Sequence, residues 1–297
     1  MELIAIVKGI NENDELTNIT VLDKDGTIYN LKFLNYNNSL KKEHTYLFKY
    51  HQVLGSERVA NIIDDYTEIT ELPFEEEDDA LRLFYTKSPI SRDEAIKIVN
   101  EYINKIDNKI IKDITKSLID KYHDEYFIYP AAAKLHHAYV GGLAYHSIGM
   151  IKFADSFIEN YPYLNKDYIY AGILLHDIGK VKELTGIMDT AYTLKGQLLG
   201  HLVLGAIEIE NEAKNLGYEK AEEVMLLEHM LISHHGLPQY GACKKPSTPE
   251  ALVLWYIDTI DSKFRVLGET LENTFDGEYT EPIGVLDKMK IYKPQNK

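Results

Sequence analysis

Residues 174–184 read LLHDIGKVKEL. The leucines and the isoleucine recur at helical spacing, which predicts an amphipathic helix over about 166–178 with its apolar face turned inward. His176 and Asp177 place two adjacent polar side chains where burial is expected. Such a pair needs a partner, because each uncompensated buried polar group costs roughly several kcal/mol.

The spacing of the other histidines suggests that partner. Eight of the 11 histidines lie between positions 136 and 235. His146 falls within LAYHSIGMIKFA, His201 within LLGHLVLG, His234-His235 within LISHHG, and Asp258 within LWYIDTIDSK. Each sits in an apolar helical run and is expected to point inward. One buried histidine is ordinarily a satisfied core residue. Five on four helices, with two aspartates, point instead to a metal centre, since imidazoles and carboxylates are natural ligands of divalent metals. Seven candidate ligands exceed one coordination sphere once water is counted, so two divalent ions are expected, with Asp177 able to bridge them. A water between the ions would lose a proton near neutral pH. Two such ions against two aspartates leave a positive pocket that attracts phosphate.

Outward from this region the chain divides in two. ELIAIVKGI, NITVLD, TIYNLKFLN, HTYLFKYHQV and ERVANIIDDY are β-branched or aromatic runs of strand length, with Asp25-Gly26 as a hairpin turn. Five short strands within residues 1–70 predict a small closed barrel, of which the OB-fold is the best-known form. Tyr29, Phe33, Tyr36 and Tyr50 are candidates to stack bases there, with core packing as the alternative. Residues 71–90, ELPFEEEDDALRLFYTKSPI, read as an acidic linker. Residues 91–297 read as helical: Ser91 to Glu94 form a capping box, and further helices are expected at 109–123, 142–160, 196–215, 219–235 and 249–267. The fold class is therefore α+β and multidomain, a small N-terminal OB-like β-barrel followed by an all-α bundle.

The net charge of −15 repels nucleic acid at long range, so any polyanion has to be held locally. Only four residues are arginine, which argues against a sequence-specific DNA reader. No apolar run reaches the roughly 18–20 residues of a membrane span, and the first residues lack the pattern of a signal peptide. Cys243 is the single cysteine. A cytoplasmic protein without membrane association is expected.

The order H…HD…H…HH…D resembles the HD-domain metal-dependent phosphohydrolases in their binuclear form. YPAAAKLHHAYVGGLAYHS, YAGILLHDIGKVKEL, YTLKGQLLGH, SHHG and YKP are similar to the YhaM family of bacterial 3′-5′ exoribonucleases, whose members carry an OB-fold before the HD domain. The resemblance implies hydrolysis of single-stranded RNA, with single-stranded DNA as a further substrate, to nucleoside monophosphates. The alternative is an HD-domain phosphodiesterase acting on a small or cyclic nucleotide. A homo-oligomeric state stays open. By the same resemblance His146, His176, Asp177 and Asp258 hold one ion, and Asp177 bridges to a second held by His201, His234 and His235. Some related trinuclear enzymes carry a glutamate where this chain has Gly142, so two ions rather than three are expected. Manganese suits this ligand set, with iron or cobalt as alternatives.

Lys180 follows Asp177 by three residues and His176 by four, hence the same helical face; it is read as a phosphate contact, against a surface lysine in a last helical turn. His136 and His137 precede Gly141-Gly142, which are expected to break the helix and fold the pair over the pocket. His137 is read as a contact to the scissile phosphate or as proton donor to the leaving oxygen, against an ordinary loop histidine. Asp261 is read as an orienter behind the ligands and Lys263 as a backbone contact, against an exposed polar face. Lys134, Lys244 and Lys245 are expected to guide substrate entry.

Overall fold

The computed structural model describes residues 1–12, 16–34, 39–54, 59–132 and 139–295. The chain forms two compact units, Met1–Lys87 and Ser88–Lys297.

In the first unit, alternation of apolar and polar residues produces five strands: β1 (Glu2–Glu12), β2 (Thr17–Leu22), β3 (Ile28–Phe33), β4 (Thr45–Leu54) and β5 (Val59–Glu68). They close into a barrel in the order β1-β2-β3-β5-β4, antiparallel throughout except for β3 against β5. Every second side chain turns inward, so Ala5 and Val7, Ile19 and Val21, and Tyr46, Phe48 and Tyr50 fill the interior. Register shifts at Val7/Gly9 and Lys49/Tyr50 supply the bends that closure requires. The Asp25-Gly26 hairpin is set by Asp23, whose carboxylate accepts from the backbone N–H groups of Asp25 and Thr27, while Gly26 takes φ 80°.

Of the aromatic residues considered for base stacking, Tyr50 is buried in the barrel core, and Tyr29 and Phe33 pack half-buried against it. Tyr36 lies outside the described residues. The acidic stretch 71–90 is not a plain linker: Phe74–Phe84 forms helix α1. Three glutamates in its first turn suit the helix N-terminus, and Ala80 and Leu81 are buried on one side. Tyr85, just beyond, bonds through its hydroxyl to Thr45 of β4 at 2.7 Å, so this segment belongs to the barrel unit.

The second unit is helical: α2 (Arg92–Asn104), α3 (Lys109–Lys121), α4 (His123–Ile128), α5 (Gly142–Asn160), α6 (Lys166–Leu175), α7 (Lys180–Glu183), α8 (Leu194–Leu216), α9 (Glu222–Ser233) and α10 (Pro249–Glu272). Side-chain caps start several of them. Ser91 accepts from the Glu94 N–H, Asn108 from Ile111, and Thr248 from Ala251 with Pro249 at the first helical position. Gly141 in the left-handed region (φ 74°) opens α5. Beyond its first turn helix α6 is apolar on every side; residues 169–175 are all buried, which makes it the central rod of the bundle. Helices α3, α5, α9 and α10 contribute Leu118, Ile148, Leu231 and Leu254 to the same core.

The helix expected over 166–178 ends at Leu175. Tight i to i−3 bonds then follow, Ile178 N–H to Leu175 O and Lys180 N–H to Asp177 O. The close approach of Gly179 to α8 accompanies this turn: a Cβ there would lie 2.1 Å from the His201 carbonyl oxygen.

Candidate metal centre

Both polar doublets stand at helix C-termini. His176 is the C-cap residue of α6 and His234 that of α9. The unpaired carbonyls and partial negative charge of a helix C-terminus favour a cation there. His146 comes from the second turn of α5 and Asp258 from the middle of α10. His201 follows Gly200, whose φ of 71° and ψ of 160° break α8 into two segments.

The structure brings all seven expected ligands together. His146, His176 and Asp258 present ligand atoms within 4.8 Å of one another, as do His201, His234 and His235, and His176, Asp177 and His234. Asp177 stands between the sets: Oδ2 lies 3.2 Å from His176 Nε2, and Oδ1 lies 3.4 Å from His201 Nε2 and 3.9 Å from His234 Nε2. Neighbouring imidazole rings make edge contacts from His146 through His176 and His234 to His235 and His201.

Every one of the five imidazoles is held through Nδ1. His146 Nδ1 bonds to Asp261 Oδ2 at 2.8 Å, and His201 Nδ1 to Glu183 Oε1 at 3.1 Å. His176, His234 and His235 donate to the backbone oxygens of Ile173, Leu231 and Tyr240. An Nδ1–H tautomer leaves Nε2 as the ligating atom. His176 Nε2, His201 Nε2 and Asp177 Oδ1 are all buried without a hydrogen-bond partner among the described residues. Buried lone-pair-bearing atoms, each unsatisfied at a cost of roughly 1–3 kcal/mol, are an unfavourable arrangement that bound cations reverse. The donor set therefore fits divalent ions.

The electrostatics agree. Burial opposes a charge on His146, but Asp258 and Asp261 on either side outweigh it and raise its pKa to about 9. Burial, with His235 and His176 close by, holds His234 well below the ordinary imidazole value; burial and His201 lower His235. Asp177 stays ionised despite burial because Lys180, His176 and His201 surround it, and Asp258 because of His146. In the absence of a metal, Asp258 and Asp261 favour the protonated form of His146, and a cation at Nε2 would displace that proton.

The ligands open onto a cavity of about 270 Å³. Lys180 lines it, donating to Asp177 Oδ2 and to Ala131 O, both at 2.6 Å. Its position follows from the tight turn rather than from a continuing helix. Lys263 does not line the cavity; Ser262 does, four residues after Asp258 on the same helical face, and it donates to Asp258 Oδ1. His136, His137 and Lys134 lie outside the described residues. Sequence reasoning missed Glu183, Tyr192 and Ser262, which also line the cavity. Glu183 carried one signal, a carboxylate directly before the leucine that ends LLHDIGKVKEL.

A helical bundle with this ligand order defines an HD domain, and the HD-domain family model matches residues 143–263. Three relatives are described as 3′-5′ exoribonuclease YhaM. The protein of Bacillus licheniformis is 44% identical over 71% of this chain and 67% of its own length; that of a Geobacillus species is 42% identical over 73% and 68%. The Bacillus subtilis protein is 41% identical over 71% and 67%. The chain belongs to the YhaM family. No solved structure gives a significant match.

Proposed function

We propose that this chain is a metal-dependent 3′-5′ exoribonuclease that hydrolyses single-stranded RNA to nucleoside monophosphates. Family membership supports the activity. The observation that carries the site assignment is the Asp177 carboxylate standing between two imidazole groups. In this reading His146, His176, Asp177 and Asp258 hold one divalent ion and Asp177, His201, His234 and His235 hold a second. Manganese suits the donors, with iron or cobalt as alternatives. A bound pair of divalent ions supplies Lewis acidity toward the phosphate and lowers the pKa of water.

The protein's own groups orient the reaction. Lys180 fixes Asp177 and, with two of its three N–H donors used among the described residues, offers the third to a phosphate oxygen. Water adds to the terminal phosphodiester phosphorus and the P–O3′ bond breaks. The released nucleotide carries the 5′-phosphate and the shortened chain a 3′-hydroxyl. His137 is assigned the proton for that leaving oxygen from its place in the sequence. Single-stranded DNA presents the same reacting atoms and is a second substrate in this reading.

Labelled single-stranded RNA with Mn²⁺ tests the proposal. RNA labelled at the 3′ end releases labelled mononucleotide from the first turnover, whereas 5′-labelled RNA gives a ladder that shortens with time. Intact RNA alongside rapid turnover of a cyclic or free nucleotide overturns the polymer assignment.

A further inference from the structure

Two of the five imidazoles are oriented by carboxylates rather than by backbone. One of these carboxylates, Glu183, does more than accept a ring N–H. It is 8% exposed, and its Oε1 accepts both the backbone N–H of His201 at 3.0 Å and His201 Nδ1 at 3.1 Å. In an unbroken helix the His201 N–H would point to the carbonyl of residue 197. Here the break at Gly200 accompanies its turn toward Glu183. The carboxylate thus acts as the N-terminal cap of the second segment of α8 and as the acceptor that sets the His201 tautomer.

The backbone of Glu183 is itself held rigidly. Its carbonyl accepts from the Thr193 N–H at 2.8 Å, and a Cβ on Gly196 would lie 2.4 Å from that oxygen. Thr193 Oγ1 also donates to the Lys182 carbonyl at 2.7 Å. The acceptor is therefore fixed before any ion arrives, and His201 is fixed through it.

We infer that Glu183 is a positioning residue for the ion held by His201, His234 and His235, locking backbone and ring of His201 so that Nε2 points at Asp177. The inference rests on the two-ion reading proposed above. Removing the carboxylate frees the ring to rotate and to take the other tautomer, in which Nε2 carries the proton and no longer ligates. Loss of an orienting partner behind a ligand typically costs about 10–100-fold in metal affinity. The first ion, whose ligands do not include His201, keeps its affinity.

The experiment is titration of metal-free full-length protein with Mn²⁺, free ion being followed by electron paramagnetic resonance and folding by circular dichroism. Wild type takes up two ions. Glu183→Ala takes up the first normally and the second about 10–100-fold more weakly. Glu183→Gln, which keeps an acceptor oxygen for both N–H groups, recovers part of that loss. In a His201→Ala background, adding Glu183→Ala produces no further weakening of the second ion, which a general structural defect would not obey. If Glu183→Ala fails to fold, the same cycle is run with Glu183→Gln. Wild type binding a single ion overturns the two-ion reading, and this inference with it. Wild type binding two, with the Glu183 variants binding both unchanged or with losses that simply add to that of His201→Ala, overturns the inference alone.

Discussion

The barrel interior and the ligand cluster inside the helical unit are buried by opposite rules. Inside the barrel, Ala5, Val7, Ile19, Val21, Leu31 and Phe48 are wholly buried and carry no polar side-chain atom. At the centre of the helical unit, Ile173, Leu174 and Leu175 lead directly into His176 and Asp177, equally buried and polar. The first interior obtains stability from close packing of apolar groups. The second gives up some of that stability to hold lone pairs in a fixed array, a trade that makes sense only where a cation completes the array.

The sharpest way to break this comparison is to remove the residue that joins the two ligand sets. Asp177→Ala should lower RNA hydrolysis by upwards of about a thousandfold, the scale of losing a principal electrostatic element, while leaving the fold intact. Steady-state rates together with thermal melting read both halves; a variant within tenfold of wild type contradicts the bridging role. Phe48→Ala in the barrel should do the reverse, destabilising its unit by about 3 kcal/mol without changing the Mn²⁺ content of the protein. Urea unfolding and metal analysis check it.

A pH series sharpens the contrast further. In metal-free protein His146 has its pKa raised to about 9, so its contribution is fully present below the unfolded value near 6.5 and is lost as pH rises toward 9. His234 and His235 are lowered, so theirs is present above about 6.5 and is lost as pH falls below it. Melting temperature in chelator should therefore peak near pH 6.5, and saturating Mn²⁺ should move the peak upward because the ligands bind as neutral imidazoles. A chelated protein whose melting temperature climbs steadily from pH 6.5 to 9 rules this out. The smallest effect is expected at the rim, where half-exposed Tyr192 lines the cavity. Tyr192→Ala should raise KM for RNA several-fold with little change in kcat, consistent with about 1 kcal/mol of base stacking. An unchanged KM removes Tyr192 from substrate binding.

Much of the candidate site was legible because each ligand interrupts an apolar helical run. His146, His201 and Asp258 betray themselves in that way, and the two doublets do so twice over. The pairing of Glu183 with His201 was not legible, since the two lie 18 residues apart, separated by a turn and a break at Gly200 that no periodicity announces. Ser262 could have been read from helical spacing, since it stands four residues after Asp258 on the same face. Helix α1 was hidden by its charge, because Glu75, Glu76 and Glu77 look like a solvated run until Ala80 and Leu81 are seen to be buried.

The amino-acid order alone settled the five-stranded start and the helical remainder and picked out the seven candidate ligands, because period and polarity are local properties of a chain. Only the folded arrangement decided which carboxylate oxygen faces which imidazole, which ring nitrogen is left to ligate, and that Glu183 stands behind His201. Those relations depend on helix ends, a glycine break and close backbone approaches between segments distant in the chain, and local pattern carries no information about them.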